Sequence, residues 1–417
     1  MAEADASVVI PNWNGREYLG ECLASVISPD GSGRALEVIV VDNGSTDGSA
    51  DLVRSTFPRV RLLANDANRG FAAACNQGAR AAAAEHVAFL NNDARVDPGW
   101  LAPLLDALVR EPDVAAVGSL VLDWEGTSID FGRSGLTPMA RGVQLDYGQP
   151  LADAPTQPTE QLFANGAAMM VRRDLFLEVG GFDERFFAYY EDVDLGWRYW
   201  IMGWRVLLEP ASRVFHRHHG TSRRLRREQI DFLLTRNAIS SAIKNAEDET
   251  LRRLLPVLLL EASAQMANNL GSPDRFHVPG FDAFAYRKPP TRSRATDAWH
   301  RLGSEAVRLY RRDSAIRSRL ARLVAGVIDP GGILVDSRTG AAAAALDDIL
   351  WGWSELLASR ATIQAKRKRS DREVSQLFGL EIQRRVRRSD AITPDLSREA
   401  VFRALEGAGL EWLLPRG

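Results

Sequence analysis

Residues 36–49 read LEVIVVDNGSTDGS: an apolar run in which only Glu37 is charged leads directly into a polar loop. Such a run is typical of a central parallel strand, which is buried on both faces. The polar residues from Asp42 to Asp47 have the composition of a turn that leads into a helix. This combination predicts one strand–loop–helix unit of an α/β sheet.

The same combination recurs along the first hundred residues. Apolar runs at Ser7–Ile10, Val60–Leu63 and His86–Leu90 each lead into polar residues, and an alanine-rich helical pattern, Phe71–Ala84, separates the last two. Alternating strands and helices predict a mostly parallel sheet of the Rossmann-like α/β class. In such sheets the carboxyl ends of the strands form the ligand crevice. The polar loops expected there are Asn12–Asn14, Asp42–Asp47, Asn65–Arg69 and Asn91–Asp93.

Beyond residue 120 the pattern changes twice. Residues 124–160 are rich in Gly, Pro, Asp and Thr without a clear period, which indicates a long loop or a loose hairpin. Strands are then predicted at Ala168–Val171, Arg205–Leu208 and Arg213–Phe215, with a helix at Glu191–Met202 between them. After Ser222 helical patterns dominate, interrupted by a Pro/Gly-rich connector. We therefore predict an α/β domain at 1–222, a helical extension and connector at 223–292, and a helical C-terminal domain at 293–417.

The net charge of −2 conceals an asymmetry between the two halves. Residues 1–220 carry 18 Arg and no Lys against 30 Asp and Glu, a net charge of −12, whereas the remainder carries +10. An acidic front half argues against nucleic acid as a partner, because phosphate binding needs a basic face. It suits a domain that gathers carboxylates around a divalent cation, and the basic rear half could face an anionic membrane.

Cysteine content and hydropathy bear on the compartment. Cys22 and Cys75 lie in apolar helical stretches, so two buried free thiols are expected in preference to a disulfide. The sequence starts almost at once with a strand pattern, without a secretory leader, and no run reaches the roughly 20 apolar residues of a spanning helix. We expect a cytoplasmic protein, with peripheral contact at the inner face of the membrane as an alternative.

Two of the polar loops contain carboxylates suited to a nucleotide and a metal. Asp42 can accept a hydrogen bond from a nucleobase at the base of the crevice, or it can serve the turn alone. Asp93, flanked by Asn91 and Asn92, can offer oxygen ligands to Mg²⁺ or Mn²⁺, ions that keep open positions for diphosphate oxygens. The alternative for Asp93 is a simple Asx turn.

An aromatic run precedes a pair of carboxylates at a predicted helix start. Residues 186–190 contain four aromatic residues in five positions, and Glu191 and Asp192 follow directly. An apolar wall raises the pKa of a carboxyl group toward that of a general base, and sugar rings stack on such walls. The alternative is that the acidic residues only complement the helix dipole.

Half of the six histidines lie within four residues, at His216, His218 and His219. They follow a short predicted strand, and histidine is a common metal ligand. A solvated surface histidine is the alternative for any one of them. Their clustering favours at least one ligand.

Taken together, these stretches resemble the inverting family 2 glycosyltransferases of the GT-A fold, in particular the bacterial rhamnosyltransferase-like and galactofuranosyltransferase-like branch. The resemblance covers residues 6–222, and residues 223–417 resemble no family that we can name. It is carried, in the order of the family, by VIPNWNG at 9–15, VDNGSTDGS at 41–49, NRGF at 68–71, LNND at 90–93, GAAMMVRR at 166–173, GGFDE at 180–184 and YEDVDLGWR at 190–198.

The resemblance implies a role for individual residues. Asp192 resembles the catalytic base, with Glu191 beside it on the acceptor side. Asp93 stands where the family's Asp-x-Asp motif ends, although Asn91 replaces its first Asp, and His216 resembles a further metal ligand, with His218 and His219 as alternates. The residues similar to those that hold the nucleotide-sugar donor are Pro11, Trp13, Asn14, Asp42, Arg69 and Asn92.

The implied reaction is a single displacement on a UDP- or dTDP-sugar. Asp192 would deprotonate an acceptor hydroxyl on a glycan or lipid-linked acceptor, and Mn²⁺ or Mg²⁺ would neutralise the leaving diphosphate, in bacterial cell-surface polysaccharide synthesis. A nicotinamide dehydrogenase is excluded, because residues 11–15 read PNWNG and not Gly-x-Gly-x-x-Gly. A degenerate fold that only binds glycans or acts as a scaffold is the alternative that Asn91 favours.

Two basic clusters, residues 366–369 and 384–388, lie in a helical context in the rear half. A solvated helix face is the simpler interpretation. The alternatives are peripheral membrane contact, docking of a partner, or a homo-oligomer formed through the C-terminal helices.

Overall fold

A computed structural model describes residues 4–28, 34–137, 140–217, 225–269, 337–378, 407 and 409–410. The connector predicted at 271–292, His218, His219 and the basic cluster at 384–388 therefore lie outside the described residues. No helix in the described ranges combines the length and the apolar composition that a membrane crossing requires.

Twelve strands and eleven helices occupy the described ranges. The strands are β1 Ala6–Asn12, β2 Leu36–Asp42, β3 Arg61–Ala64, β4 His86–Leu90, β5 Ala94–Val96, β6 Val114–Leu122, β7 Ile129–Phe131, β8 Ser134–Leu136, β9 Gly142–Gln144, β10 Thr159–Glu160, β11 Ala168–Arg172 and β12 Arg205–His216. The helices are α1 Arg16–Ile27, α2 Ser49–Thr56, α3 Phe71–Ala81, α4 Leu101–Arg110, α5 Arg173–Glu178, α6 Glu191–Ile201, α7 Arg227–Asn245, α8 Asp248–Asn269, α9 Ser337–Trp351, α10 Trp353–Ala365 and α11 Asp371–Phe378.

The central sheet has the order β10-β12-β6-β11-β4-β1-β2-β3, with β5 paired to β12 and β7 to β6. Strands β4, β1, β2 and β3 are parallel, as predicted. Strand β11 is antiparallel to both β4 and β6, so the sheet is mixed and its parallel order is broken at the middle. The α/β class predicted from the sequence is confirmed.

Burial on both faces explains the apolar strand sequences. Every residue of β1 and β4 is buried, because helices cover the sheet on its two sides. Helix α1 contributes Leu19, Cys22, Leu23 and Val26, spaced at three and four residues on one buried face. Both cysteines are free and buried, as predicted.

Three sequence-based expectations need correction. Residues 205–208 and 213–215 belong to one bulged strand, β12, because the register against β6 shifts between Glu209 and Arg213 without ending the pairing. Residues 124–160, expected to form a long loop or a loose hairpin, contain the hairpin of β8 and β9, but in addition β7 joins the central sheet. Helix α2 follows the turn predicted at Asp42–Asp47, whereas helix α4 and strand β6 had no counterpart among the predicted elements.

The described helices beyond residue 226 pack against the α/β domain through one continuous apolar core. This core includes residues from β1 through α7 and α8 to Phe378 on α11. On α10, Arg360 donates to the carbonyl oxygens of Ile243 and Ala246, where α7 ends. The division at 222 and 292 stays a prediction, but no gap in packing separates the described parts.

Residues of the basic cluster at 366–369 donate hydrogen bonds to backbone carbonyls of other elements. Arg369 donates to the carbonyl oxygens of Trp200 and Trp204, at 3.1 and 2.8 Å, and the backbone N–H of Lys368 donates to the carbonyl of Ile201. Arg367 donates to the carbonyl of Asn245. These donors satisfy the carbonyls that a helix leaves unpaired at its end. The expectation of a solvated face is therefore wrong for Arg367 and Arg369.

Gly78 is predicted to be necessary for the packing of α3 on β1. A Cβ atom at Gly78 would lie 2.2 Å from Cγ1 of Val9, inside the core. We expect Gly78→Ala to lower the free energy of unfolding by about 1–3 kcal/mol, the usual cost of overpacking. The control Gly20→Ala, whose nearest neighbour would be 3.8 Å away, should be neutral or stabilising by about 0.5–1 kcal/mol. Urea unfolding measures both, and equal effects would contradict the packing argument.

Candidate active site

A cavity of about 380 Å³ opens at the carboxyl ends of the parallel strands. Its volume lies in the range of small-molecule sites. Of the residues singled out from the sequence, those that line it are Pro11, Trp13, Asn92, Asp93, Glu191, Asp192 and His216. These residues come from four separate segments of the chain, and the sheet edge brings them together.

Asp42 lies beneath the cavity and does not line it. Its Oδ1 accepts a hydrogen bond of 2.8 Å from Nδ2 of Asn12, and Oδ1 of Asn12 accepts one of 2.7 Å from Asn92. All three side chains are buried. This chain of hydrogen bonds joins the ends of β1, β2 and β4, so Asp42 orders the cavity floor. Asn12, which we had not singled out, is the central member.

Asn14 and Arg69 also lie away from the cavity lining. Oδ1 of Asn14 accepts from the backbone N–H of Thr46 at 2.8 Å, which ties the loop after β1 to the loop after β2. Arg69 is exposed and pairs with Asp66 at 3.0 Å. Neither residue lines the cavity, and their contact with a donor stays a prediction.

Asp93 and His216 meet because β5 pairs with the end of β12. His216 is opposite Ala94 in this antiparallel pair, and its Nε2 lies 3.2 Å from Oδ1 of Asp93. The amide Nδ2 of Asn91 lies 3.3 Å from the same Nε2. The two residues predicted to bind a metal are thus adjacent, although 123 positions separate them in the sequence.

The other ring nitrogen of His216 is occupied by a residue that sequence reasoning missed. Nδ1 lies 2.8 Å from Oδ2 of Asp130, a buried residue at the middle of β7. Burial opposes protonation of His216, but its hydrogen bonds to Asp130 and Asp93 outweigh this effect and raise its pKa to about 10. The sequence carries little signal for Asp130, because it stands in the stretch interpreted as a loop.

The residues around Asp93 fit a divalent cation. Oδ1 of Asp93 is buried and faces Nε2 of His216 at 3.2 Å. A carboxylate oxygen and a neutral imidazole nitrogen side by side are suitable ligands for Mn²⁺, so a cation bound here would displace the proton that His216 otherwise holds on Nε2. Within the described ranges no three His, Cys, Asp or Glu side chains form a complete metal site.

Glu191 and Asp192 begin α6 and line the same cavity. Asp192 accepts from the backbone N–H of Gly166 at 3.2 Å and of Val193 at 2.8 Å, and it keeps partial exposure. Burial raises its pKa, and these N–H groups limit the rise. Glu191 is buried with no partner for Oε2 among the described residues, so burial and the charge of Asp192 raise its pKa well above the ordinary value. Glu191 therefore retains a proton more readily than Asp192 does.

The next carboxylate of α6, that of Asp194, has a different environment. It is fully buried and accepts hydrogen bonds of 2.9 Å from Arg198, Lys244 and Asn245. Arg198 is on the same helix, whereas the other two come from α7. Asp194 thus fixes α6 to α7 and lies outside the cavity lining.

Comparison with known proteins adds to this geometry. Residues 7–180 match the family model described as Glycosyl transferase family 2. The chain is 35% identical over 213 residues to N-acetylglucosaminyl-diphospho-decaprenol L-rhamnosyltransferase of Mycobacterium tuberculosis, a match that covers 46% of this chain and 69% of the relative. It is 36% identical over 202 residues to the O-antigen biosynthesis protein RfbC of Myxococcus xanthus, covering 45% of this chain and 15% of that one.

Solved structures with a related shape include GalNAc-T7 with UDP, GalNAc and Mn²⁺, at a TM-score of 0.49 and 18% identity over 62% of this chain and 51% of that one. A mannosyltransferase of Pyrobaculum calidifontis in complex with GDP-Man and Mn²⁺ has a TM-score of 0.44 and 20% identity over 83% and 87% of the two chains.

The contrast between Glu191 and Asp194 gives a stability prediction. Glu191→Gln replaces a buried carboxyl that favours its neutral form, so it should preserve or raise stability at neutral pH. Asp194→Asn removes the counter-charge of buried Arg198 and one of the two carboxylates that pair with buried Lys244, the other being Asp183. It should cost about 3–5 kcal/mol. Urea unfolding at pH 7 measures both changes.

The pH dependence supplies a second check on Glu191. A folded-state pKa above the unfolded value means that the unfolded chain releases this proton first. Wild type should therefore lose stability relative to Glu191→Gln as the pH rises above 4.5, until Glu191 itself ionises in the folded state. A difference between the two proteins that does not change with pH would contradict this assignment.

Proposed function

Because the chain belongs to glycosyl transferase family 2, we propose that it transfers a sugar with inversion, using Asp192 as general base and a divalent metal on the donor diphosphate. It is a glycosyltransferase that uses a nucleotide-sugar donor. The observation that supports the finer proposal is one cavity lined by Asp93, His216 and Asp192 together.

The donor would bind along the edge formed by the first strands. Pro11 and Trp13 line the cavity beside Asn92, with the Asn12–Asp42 chain beneath them. The proposed donor is a UDP- or dTDP-sugar. Asn14 and Arg69 would stabilise the loops around it through their contacts with Thr46 and Asp66. A panel of nucleotide-sugars titrated by calorimetry in the presence of Mn²⁺ would identify the nucleotide.

The base step uses the environment of Asp192. Its carboxylate is held by two backbone N–H groups, and burial raises its pKa, which strengthens it as a proton acceptor. Asp192 would take the proton of the acceptor hydroxyl as the oxygen attacks the anomeric carbon. The bond to the diphosphate breaks in the same displacement, so the configuration inverts and no covalent intermediate forms. Glu191, beside it, would contact the acceptor in its neutral form.

The metal would be held by Asp93 and His216, with Asp130 orienting the imidazole. A bound Mn²⁺ or Mg²⁺ neutralises the charge that develops on the leaving diphosphate. Asn91 replaces a carboxylate that the family pattern has at this point, so the protein supplies fewer negative charges. The buried Oδ1 of Asp93 supports its assignment as the main protein ligand.

The acceptor is proposed from the relatives. One is named for a decaprenol-linked acceptor and another for O-antigen biosynthesis. These names support a glycan or lipid-linked acceptor and a role in bacterial cell-surface polysaccharide synthesis. Peripheral membrane contact or a homo-oligomer through the C-terminal helices stays a prediction.

The alternative of a non-catalytic scaffold rests on Asn91 alone. Asp93, His216 and Asp192 all line the cavity, and such a combination would have no use in a protein that only binds a glycan. A donor-hydrolysis assay separates the two, because a scaffold would release no nucleoside diphosphate.

Asp192→Asn is the sharpest test of the base. The substitution keeps the shape and removes the proton acceptor, so turnover should fall about a hundredfold or more. Affinity for the nucleotide-sugar, measured by calorimetry, should be nearly unchanged. Asp174→Asn, at an exposed carboxylate on α5, is the matched control. Parallel loss of binding and turnover would instead make Asp192 a structural residue or a donor ligand.

The pH profile provides a second measurement of the same residue. The base must be ionised, so kcat/KM should fall as the pH drops through the pKa of Asp192, which lies above the ordinary 3.8. The Asp192→Asn variant should lack this acid limb. If the acid limb of the kcat/KM profile is unchanged in Asp192→Asn, the ionisation that causes it belongs to another group.

The metal proposal predicts a loss of Mn²⁺-dependent nucleotide binding in Asp93→Ala. Calorimetry with UDP, with and without Mn²⁺, should show an increase in affinity with the metal in wild type and none in the variant. Asp97→Ala, four residues along the same segment, should behave as wild type. Full turnover of the wild type in excess chelator would contradict the proposal.

A further inference from the structure

The backbone directly before the proposed base is strained. Phe187, Tyr189 and Tyr190 have φ angles of 64°, 66° and 70°, values that residues with a side chain rarely adopt. At Phe187, ψ is −61° and the N–H of Ala188 donates to the carbonyl of Phe186 at 2.7 Å, which defines a γ-turn of the rare, strained type. Each such residue has a backbone conformation of higher free energy than the ordinary one at negative φ. The loop can persist only if its surroundings hold it.

A single side chain on α7 contacts the loop at three points. Asn237 is fully buried, and its Nδ2 lies 3.1, 3.0 and 2.7 Å from the carbonyl oxygens of Phe186, Ala188 and Tyr189. A tight turn brings these carbonyl dipoles close together, and the amide N–H₂ group offsets their repulsion. The contacts lie on both sides of the γ-turn, at Phe186 before it and at Ala188 and Tyr189 after it.

Arg236 supports Asn237 and extends the contact. Its Nη2 donates to the carbonyls of Arg185 and Phe186 at 2.6 and 2.9 Å, and its Nε donates to Oδ1 of Asn237 at 2.8 Å. Its Nη1 pairs with Asp348 on α9 at 3.2 Å. The loop is therefore connected through α7 to a helix from the rear of the chain.

The opposite side of the loop faces the donor end of the cavity. The carbonyl of Phe187 accepts from the N–H of Ala72 at 3.3 Å, at the start of α3. A Cβ atom at Gly70 would lie 2.6 Å from that carbonyl oxygen, so only glycine leaves room for this approach. The loop is confined between the segment that precedes α3 and helix α7.

The conformation of the loop determines where Asp192 points. Tyr190 is the left-handed residue that starts α6, and its carbonyl accepts the first hydrogen bond of the helix, from Asp194 at 2.9 Å. If the loop relaxed to negative φ, the entry into α6 would rotate. Asp192 would then move away from Gly166, whose N–H holds its carboxylate.

We propose that Asn237, supported by Arg236 and Asp348, is a positioning residue that keeps the loop 186–190 strained so that Asp192 faces the acceptor. The inference rests on the proposed role of Asp192. It assigns part of the catalytic geometry to α7 and α9, which lie outside the matched residues 7–180. The rear half would then serve turnover directly, whatever other contacts it makes.

Asn237→Ala tests the proposal, with Ser241→Ala as control. Ser241 is equally buried one turn further along α7, and it accepts a hydrogen bond from Asn245 without contacting the loop. We expect kcat of Asn237→Ala to fall about tenfold to a hundredfold, because a displacement of about 1 Å in a reacting group has an effect of that size. Binding of UDP with Mn²⁺, measured by calorimetry, should be retained in both variants, and Ser241→Ala should turn over as wild type.

A double mutant separates positioning from general stability. If Asn237 acts through Asp192, Asn237→Ala should cause no further loss of kcat in the Asp192→Asn background. If Asn237→Ala lowers kcat in the Asp192→Asn background by as much as it does in wild type, the inference is overturned and the proposed base is unaffected. Wild-type kcat of Asn237→Ala alone would have the same consequence. Wild-type turnover of Asp192→Asn would instead overturn the proposed function. Equal loss of UDP binding and turnover in Asn237→Ala would also count against positioning.

A milder change covers the case in which Asn237→Ala does not fold. Asp348→Asn keeps both residues that touch the loop and removes only the charge that fixes Arg236. Its kcat should fall by a smaller factor than that of Asn237→Ala, and the decrease should again vanish in the Asp192→Asn background. Unchanged kcat in this variant, together with a folded state that binds UDP, would overturn the support assigned to Asp348 and Arg236.

Discussion

Helix α6 depends on the neutralisation of one buried charge. Asp194 lies in its first turn with no exposed surface, and a carboxylate in that position is tolerated only if cations and donors reach it. Arg198 comes from the same helix, but Lys244 and Asn245 come from α7. The helix that carries the proposed base is therefore stable only against α7, which places part of the rear half next to the active site.

The second constraint is the geometry of the sheet edge. Parallel strands end side by side, so the polar residues that follow them meet, and the buried Asn12–Asp42 contact is the result. The mixed part of the sheet contributes differently. The end of β12 pairs antiparallel with β5, and this pairing brings His216 to Asp93. The candidate metal ligands are thus held by backbone pairing and need no flexible loop between them.

The two sides of the site are built on different kinds of element. The donor and metal side is built on strand ends, which backbone hydrogen bonds hold firmly. The side of Asp192 is built on a loop with three residues at positive φ, which requires outside support. That support comes from Asn237 and Arg236, far along the chain. Strain near a reacting group fixes one orientation of Asp192, and the helices behind it supply the stabilising contacts.

The sequence alone determined the α/β class, the burial of the strands and seven of the residues that line the cavity. These follow from local patterns, because apolar runs form the strands and the polar residues after them lie at the strand ends. It also indicated Glu191 and Asp192 through the aromatic run before them. Only the tertiary structure decided that Asp42 lies beneath the cavity, that Asp130 holds the ring of His216, and that Asn237 holds the strained loop. Each of these is a contact between residues distant in sequence. Their side chains follow no period, so nothing local marks them, and the packing of α7 and the pairing of β7 with β6 are what bring them together.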